Sequence, residues 1–160
     1  MVWACTPCYE CLGQKKPENV VFYRFPLAFN KRWESLAKAY YVTQELHAAE
    51  KLDEAFFDAI HQKHIDLSNE KLLQTFFVNH GFSEKQFLNL YHSFTINKEL
   101  TRAKDIANAY QISLSPVIIV NGPTGNYLLT ASMAGSEQRL IDALNYLISL
   151  QKCIKGNQTH

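Results

Sequence analysis

Ser115–Thr130 reads SPVIIVNGPTGNYLLT, and it interrupts a chain that otherwise repeats at helical spacing. Val117–Val120 is an unbroken β-branched run, Asn121–Gly125 is rich in turn formers, and Tyr127–Thr130 is a second short apolar run. That order predicts a β-hairpin. Pro116 stands at the head of the first run, one of the few strand positions where a residue lacking an N–H is tolerated.

Upstream of the hairpin the pattern is helical. Trp33, Leu36, Ala37, Tyr40 and Tyr41 share one face of a helix predicted over Lys31–Leu46, and Leu52, Ala55, Phe56, Ala59 and Ile60 repeat the pattern. A third helix is predicted to start after Ser68 and to close at Gly81 in the left-handed conformation. Ser83 and Gln86 have capping-box spacing, with Phe82 and Phe87 as a hydrophobic staple, for a fourth helix whose apolar face takes in Leu90, Tyr91 and Phe94. Asn97 is read as the cap of a fifth, carrying Leu100, Ala103, Ala107 and Tyr110. Before them, Val20–Phe25 (VVFYRF) is predicted to be a buried strand stopped by Pro26. After the hairpin, a last helix from about Ser136 uses Leu140, Ile141, Leu144, Leu147 and Ile148. The order is cysteine-bearing turn and helix, strand, helical block, hairpin, helix: a small sheet with a helical insertion.

Composition narrows the function. Sixteen Lys plus Arg against fifteen Asp plus Glu in 160 residues give a formal net charge of +1, with no basic stripe to hold nucleic acid or anionic lipid. No apolar run approaches the ~20 residues of a membrane-spanning helix, and Met1–Ala4 is too short to be a signal peptide. The 4 cysteines are too few for a disulfide scaffold, and Cys5, Cys8 and Cys11 crowd together in CTPCYEC instead of spreading out as staples.

Cys5-Thr6-Pro7-Cys8 is a C-x-x-C, whose sulfurs can meet across the first turn of a helix. At a helix start, unpaired N–H groups and the dipole favour the Cys5 thiolate, and Pro7 is acceptable where no intrahelical donor is required. In a redox reading Cys5 is the nucleophile and Cys8 resolves the mixed disulfide. Cys11 extends the series and raises a rival reading, a zinc or iron–sulfur module with Cys153 as fourth ligand. The ferredoxin spacing is not met, since Lys15 and Lys16 stand where its next cysteine belongs. The plain reading of Cys11 and of Cys153 is small apolar packing. His61 and His64 (HQKH), with Glu54 and Asp58, read as a solvated helix face more readily than as a metal site. Glycine-rich phosphate loops, G-x-S-x-G and H-E-x-x-H are absent from the sequence.

Taken together, Cys5-Thr6-Pro7-Cys8-Tyr9, FYRFPLAFNKRWESLAKAYY, FFDAIHQKHIDLS and SPVIIVNG resemble, in order and spacing, the DsbA family of thiol:disulfide oxidoreductases. The resemblance runs from Cys5 to about Ile148. It implies an α/β fold, a thioredoxin-like fold with an inserted all-helical domain, divided as 1–29 and 113–152 for the thioredoxin-like part, 30–112 for the insertion and 153–160 as a tail. It implies a redox-active Cys5–Cys8 disulfide in place of any bound cofactor or metal, with Pro116 as the cis-proline facing it and Ser115 offering backbone hydrogen bonds to substrate. Reduced cysteine-containing polypeptides are the implied partners, a quinone-linked membrane protein the implied reoxidant, the periplasm the implied location, and a monomer the expected state. Substrate oxidation is expected over isomerisation, because nothing in the sequence suggests a dimerisation domain. The related kappa-class glutathione transferases lack such a paired motif.

The chain departs from the family pattern in three places. Thr6-Pro7 stands where the family usually has Pro-His, so no imidazole supports the Cys5 thiolate and a weaker oxidant is expected. The helix after the cysteines is expected to be short, since Gly13 and Pro17 follow closely. Only Met1–Ala4 precede the motif, so the first strand or strands are expected to be missing or truncated. This leaves a fragment of a longer protein as the favoured expectation and an inactive remnant of the oxidoreductase as its alternative.

Overall fold

A computed structural model describes residues 17–113 and 117–153. These fall into two compact units, one formed by Val21–Gln111 and the other by Pro17–Val20 with the chain from Ile112 onward.

The first unit is helical. Helix α1 (Lys31–Glu45) begins where the Asn30 side chain accepts a hydrogen bond from the Trp33 N–H at 3.0 Å, the usual device for satisfying a helix's unpaired first-turn donors. It packs against α2 (Ala49–Phe57), α4 (Glu84–Tyr91) and α5 (Phe94–Ala109), while α3 (Glu70–Asn79) packs against α4. Its buried face is Ala37, Ala39, Tyr41 and Val42. The centre of the unit is aromatic. Phe56 lies 4.3 Å from Phe76 and 5.8 Å from Phe77 between ring centres, and Phe77 lies 4.7 Å from Phe87. Each large apolar side chain buried here contributes about 1.5–3 kcal/mol, which outweighs the weak helix propensity of so many aromatic residues.

Several boundaries differ from the sequence reading, each for a local reason. Helix α3 starts after Ser68 as read, at Glu70, because Asn69 takes the cap, accepting from Lys71 N–H at 3.0 Å. Ser68 instead donates to Asp66 through its hydroxyl and its N–H. Ser83 does precede α4, but its side chain makes no capping hydrogen bond. Helix α5 starts at Phe94, capped by Ser93, whose Oγ accepts from Ile96 N–H at 3.2 Å. Asn97 therefore lies inside α5, its Nδ2 donating to the Ser93 carbonyl at 2.9 Å. Phe94 belongs to a new helix, not to the apolar face of α4, and is 83% exposed. Gly81 takes φ 90°, as its place after α3 predicts.

Beyond α2 the helix widens into a π-turn, Asp58–Gln62, with Lys63 N–H bonded to the Asp58 carbonyl and Ile65 N–H to the Ala59 carbonyl. Val20–Phe25 joins no ladder among the described residues. Pro26 is buried, whereas Val21, Phe22 and Tyr23 are exposed. A β-branched run becomes a strand only when a neighbour completes its hydrogen bonds, so the predicted buried strand is corrected to a non-ladder segment.

In the second unit β1 (Val117–Gly122) and β2 (Gly125–Thr130) form the predicted antiparallel hairpin, with Val117 opposite Thr130 and Gly122 opposite Gly125. Pro123 and Thr124 make the turn, and Gly125 supplies φ 127°, a conformation glycine adopts at little cost. The short α6 (Ala131–Ala134) and the long α7 (Glu137–Cys153) follow and pack on the hairpin. Leu140, Leu144 and Leu147 form the buried stripe of α7.

Candidate functional site

The hairpin fixes what immediately follows Pro116. Val117 pairs with Thr130 at the open end of the ladder. Thr130 is buried there and caps α6, its Oγ1 accepting from Met133 N–H at 3.2 Å and lying 3.0 Å from Ser132 Oγ. On the approach side, α5 closes with Tyr110 N–H bonded to the Ile106 carbonyl, and Gln111 takes φ 51°. A left-handed residue other than glycine is uncommon, and here it ends the helix shortly before the hairpin.

Cys5, Thr6, Pro7, Cys8, Cys11, Ser115 and Pro116 lie outside the described residues. Cys153 is the last residue of α7, and its side chain also lies outside them. The segment that follows the cysteines is described from Pro17, whose carbonyl accepts from Val20 N–H at 2.9 Å. Further along, Tyr23 and Phe25 stack with ring centres 6.3 Å apart, and the Arg102 guanidinium of α5 lies 5.8 Å from the first ring and 5.5 Å from the second. Arg102 also approaches Glu99 at 3.7 Å. Sequence reasoning missed this clamp; the only signal was an aromatic pair two residues apart, and no spacing rule names an arginine so far along the chain as its partner.

His61 and His64 are exposed, as the solvated-face reading expects. The His61 ring rests 4.7 Å from Phe57. His64 takes φ 53°, just after the π-turn. Among the described residues no three His, Cys, Asp or Glu side chains gather where they could hold a metal ion, and no helix is long and apolar enough to cross a membrane.

The raised titrations are those of tyrosines in the helical unit. Burial pushes Tyr41 well above the ordinary phenol range, with the Glu99 carboxylate adding to the rise. Burial also raises Tyr40, opposed by Arg24, and Tyr91, opposed by its hydrogen bond with Ser35. Asp66 is lowered, chiefly by the Ser68 hydroxyl.

Comparison with known proteins accounts for this arrangement. A family model described as "DSBA-like thioredoxin domain" matches residues 12–144. The chain belongs to this family. The thiol:disulfide interchange protein DsbA of Azotobacter vinelandii is 30% identical over 156 residues, covering 94% of this chain and 72% of that protein. Its counterpart in Pseudomonas aeruginosa PAO1 is 27% identical over the same shares. The crystal structure of P. aeruginosa DsbA superposes with a TM-score of 0.85 at 26% identity, covering 97% of this chain and 82% of that one. The fold is thus the thioredoxin fold with a helical insertion, of which two strands lie among the described residues. The family is one of thiol:disulfide oxidoreductases, and the family match begins just past Cys11.

Proposed function

We propose that the chain oxidises cysteine pairs in substrate polypeptides through a Cys5–Cys8 disulfide. A substrate thiolate attacks the Cys5 sulfur, the Cys5–Cys8 bond breaks, and Cys8 leaves as thiolate. The second substrate thiolate then attacks the substrate sulfur of the mixed disulfide and releases Cys5. The substrate loses two electrons and two protons, and the enzyme dithiol keeps them until a disulfide or quinone-linked partner removes them. Ser115 and Pro116, directly ahead of β1, shape the peptide site, with substrate pairing as an added strand. Thr6 and Pro7 set the acidity of Cys5.

The observation that carries this reading is the C-x-x-C standing ahead of a chain that matches the family through its helical block and hairpin. The same membership supports a periplasmic location, protein substrates, and the division into 1–29 with 113–152 and 30–112. Mass spectrometry of the purified chain under non-reducing conditions tests the pair directly, beside an assay of disulfide formation in a reduced protein substrate. A Cys5–Cys8 disulfide, with activity lost in Cys5→Ser, is expected. One zinc or iron–sulfur cluster per chain with no such disulfide would favour the metal module instead. A folded chain that carries the disulfide yet turns over no substrate would identify the inactive remnant.

A further inference from the structure

The tip of the hairpin carries chemistry that the redox reading leaves unused. Asn121-Gly122 is the only Asn-Gly pair in the sequence. It ends β1, with Asn121 exposed and opposite Asn126 in the ladder. An asparagine amide followed by glycine is open to attack by the next backbone nitrogen, because glycine offers no side chain to crowd the approach and the widest choice of backbone dihedrals. Every other asparagine is followed by a residue with a side chain, as at Asn126-Tyr127 and Asn145-Tyr146.

The geometry of the tip opposes this reaction at Gly122. Gln151 of α7 reaches the tip, where its Oε1 accepts from Thr124 N–H at 2.9 Å. Its amide lies so close over Gly122 that a Cβ there would collide with it. Thr124 Oγ1 and Gln151 Nε2 are buried beside this contact. The backbone of Gly122 must swing to reach the Asn121 side chain, and Gln151 holds it in the extended pairing.

We propose that Asn121 is a deamidation site and that Gln151 sets its rate by clasping the hairpin tip. Hydroxide removes the Gly122 N–H proton, the nitrogen bonds to Asn121 Cγ, the Cγ–Nδ2 bond breaks, and the amide leaves as ammonia. Water then opens the cyclic imide at either carbonyl, leaving aspartate or isoaspartate at position 121 with no change in oxidation state. Both products place a negative charge at the tip. Isoaspartate also adds a methylene to the backbone of β1, the strand that starts directly after Pro116.

The full chain, incubated in mildly alkaline buffer at physiological temperature, tests this by peptide mass mapping and isoaspartyl methyltransferase labelling. Acid is expected at Asn121 before any other asparagine, several-fold faster in Gln151→Ala, and not in Asn121→Gln. Gln151→Glu retains an acceptor for Thr124 N–H and is expected to convert as slowly as the parent chain. Circular dichroism of each variant separates loss of the clasp from unfolding. Earlier conversion at another asparagine, or a folded Gln151→Ala that converts at the parental rate, would overturn the proposal. Gln151→Glu converting as fast as Gln151→Ala would overturn the role of the clasp.

Discussion

Arg102 of α5 faces Phe25 with its guanidinium 5.5 Å from the ring centre, so a helical residue grips the segment that follows the cysteines. Because the same cation faces Tyr23, Arg102→Ala removes two cation–π contacts at once, at a cost of about 0.5–2 kcal/mol. Arg102→Lys keeps the charge but not the flat guanidinium, and should recover part of the loss. Urea denaturation measures the stability. Chymotrypsin cleavage after Tyr23 is expected to quicken in Arg102→Ala, and an unchanged cleavage rate would show that the clamp does not hold the segment.

Phe77 is fully buried and touches the rings of Phe56, Phe76, Phe82 and Phe87. Phe77→Ala should cost about 3–5 kcal/mol, a large share of the stability of a chain this size. Phe77→Leu, which leaves a smaller cavity, should cost less. Helical circular dichroism against urea reads both.

Alkali should unfold the helical unit through its tyrosines. An unfolded tyrosine ionises at about pH 10, while burial keeps Tyr40, Tyr41 and Tyr91 neutral beyond that point. Above pH ~10 the unfolded chain therefore releases protons that the folded one retains, so stability is complete below that pH and falls as pH rises through the folded values. Phenolate absorbance should appear together with loss of helix. Tyr41→Phe deletes a buried hydroxyl that has no hydrogen-bond partner, and should be neutral or stabilising while reducing the alkaline loss.

Pro7→His restores an imidazole beside the proposed nucleophile. Cys5 should become more acidic by about 1–3 pKa units, the range a neighbouring cation produces, and the disulfide should become more oxidising. Thiolate absorbance against pH gives the first quantity, and equilibration with glutathione gives the second. An unchanged Cys5 titration would mean that the intervening dipeptide does not control it.

The hairpin was legible in kind and place because a β-branched run, a turn and a second run follow one another with no help from distant contacts, although the ladder runs on through Asn121, Gly122 and Gly125, which the sequence reading gives to the turn. The five helices of the first unit and the last helix were legible in existence and face but less so at their starts, where neighbouring polar residues compete for the same donors, and the short α6 was not predicted. The third helix does start after Ser68, with Asn69 as its cap, whereas Ser93 prevailed over Asn97 by opening α5 a turn earlier. Phe94 was misassigned for that reason, since one continuous spacing can span the end of one helix and the start of the next. The C-x-x-C pair was readable only as a candidate, and it lies outside the described residues, while the Arg102 clamp and the Gln151 clasp join residues too far apart for any periodicity to announce. Val20–Phe25 shows the limit from the other side: its composition suits a strand, but pairing is a property of two segments.

The π-turn at Asp58–Gln62 makes one stretch of this protein tolerant of changes in chain length. The helix there already spans one residue more than an ordinary turn requires, and the hydrogen bonds loosen stepwise into the exposed His64. Deleting one residue from Ile60–Lys63 can be absorbed by tightening the coil to ordinary pitch. The same deletion between Leu73 and Phe77 would rotate an entire aromatic face out of the core.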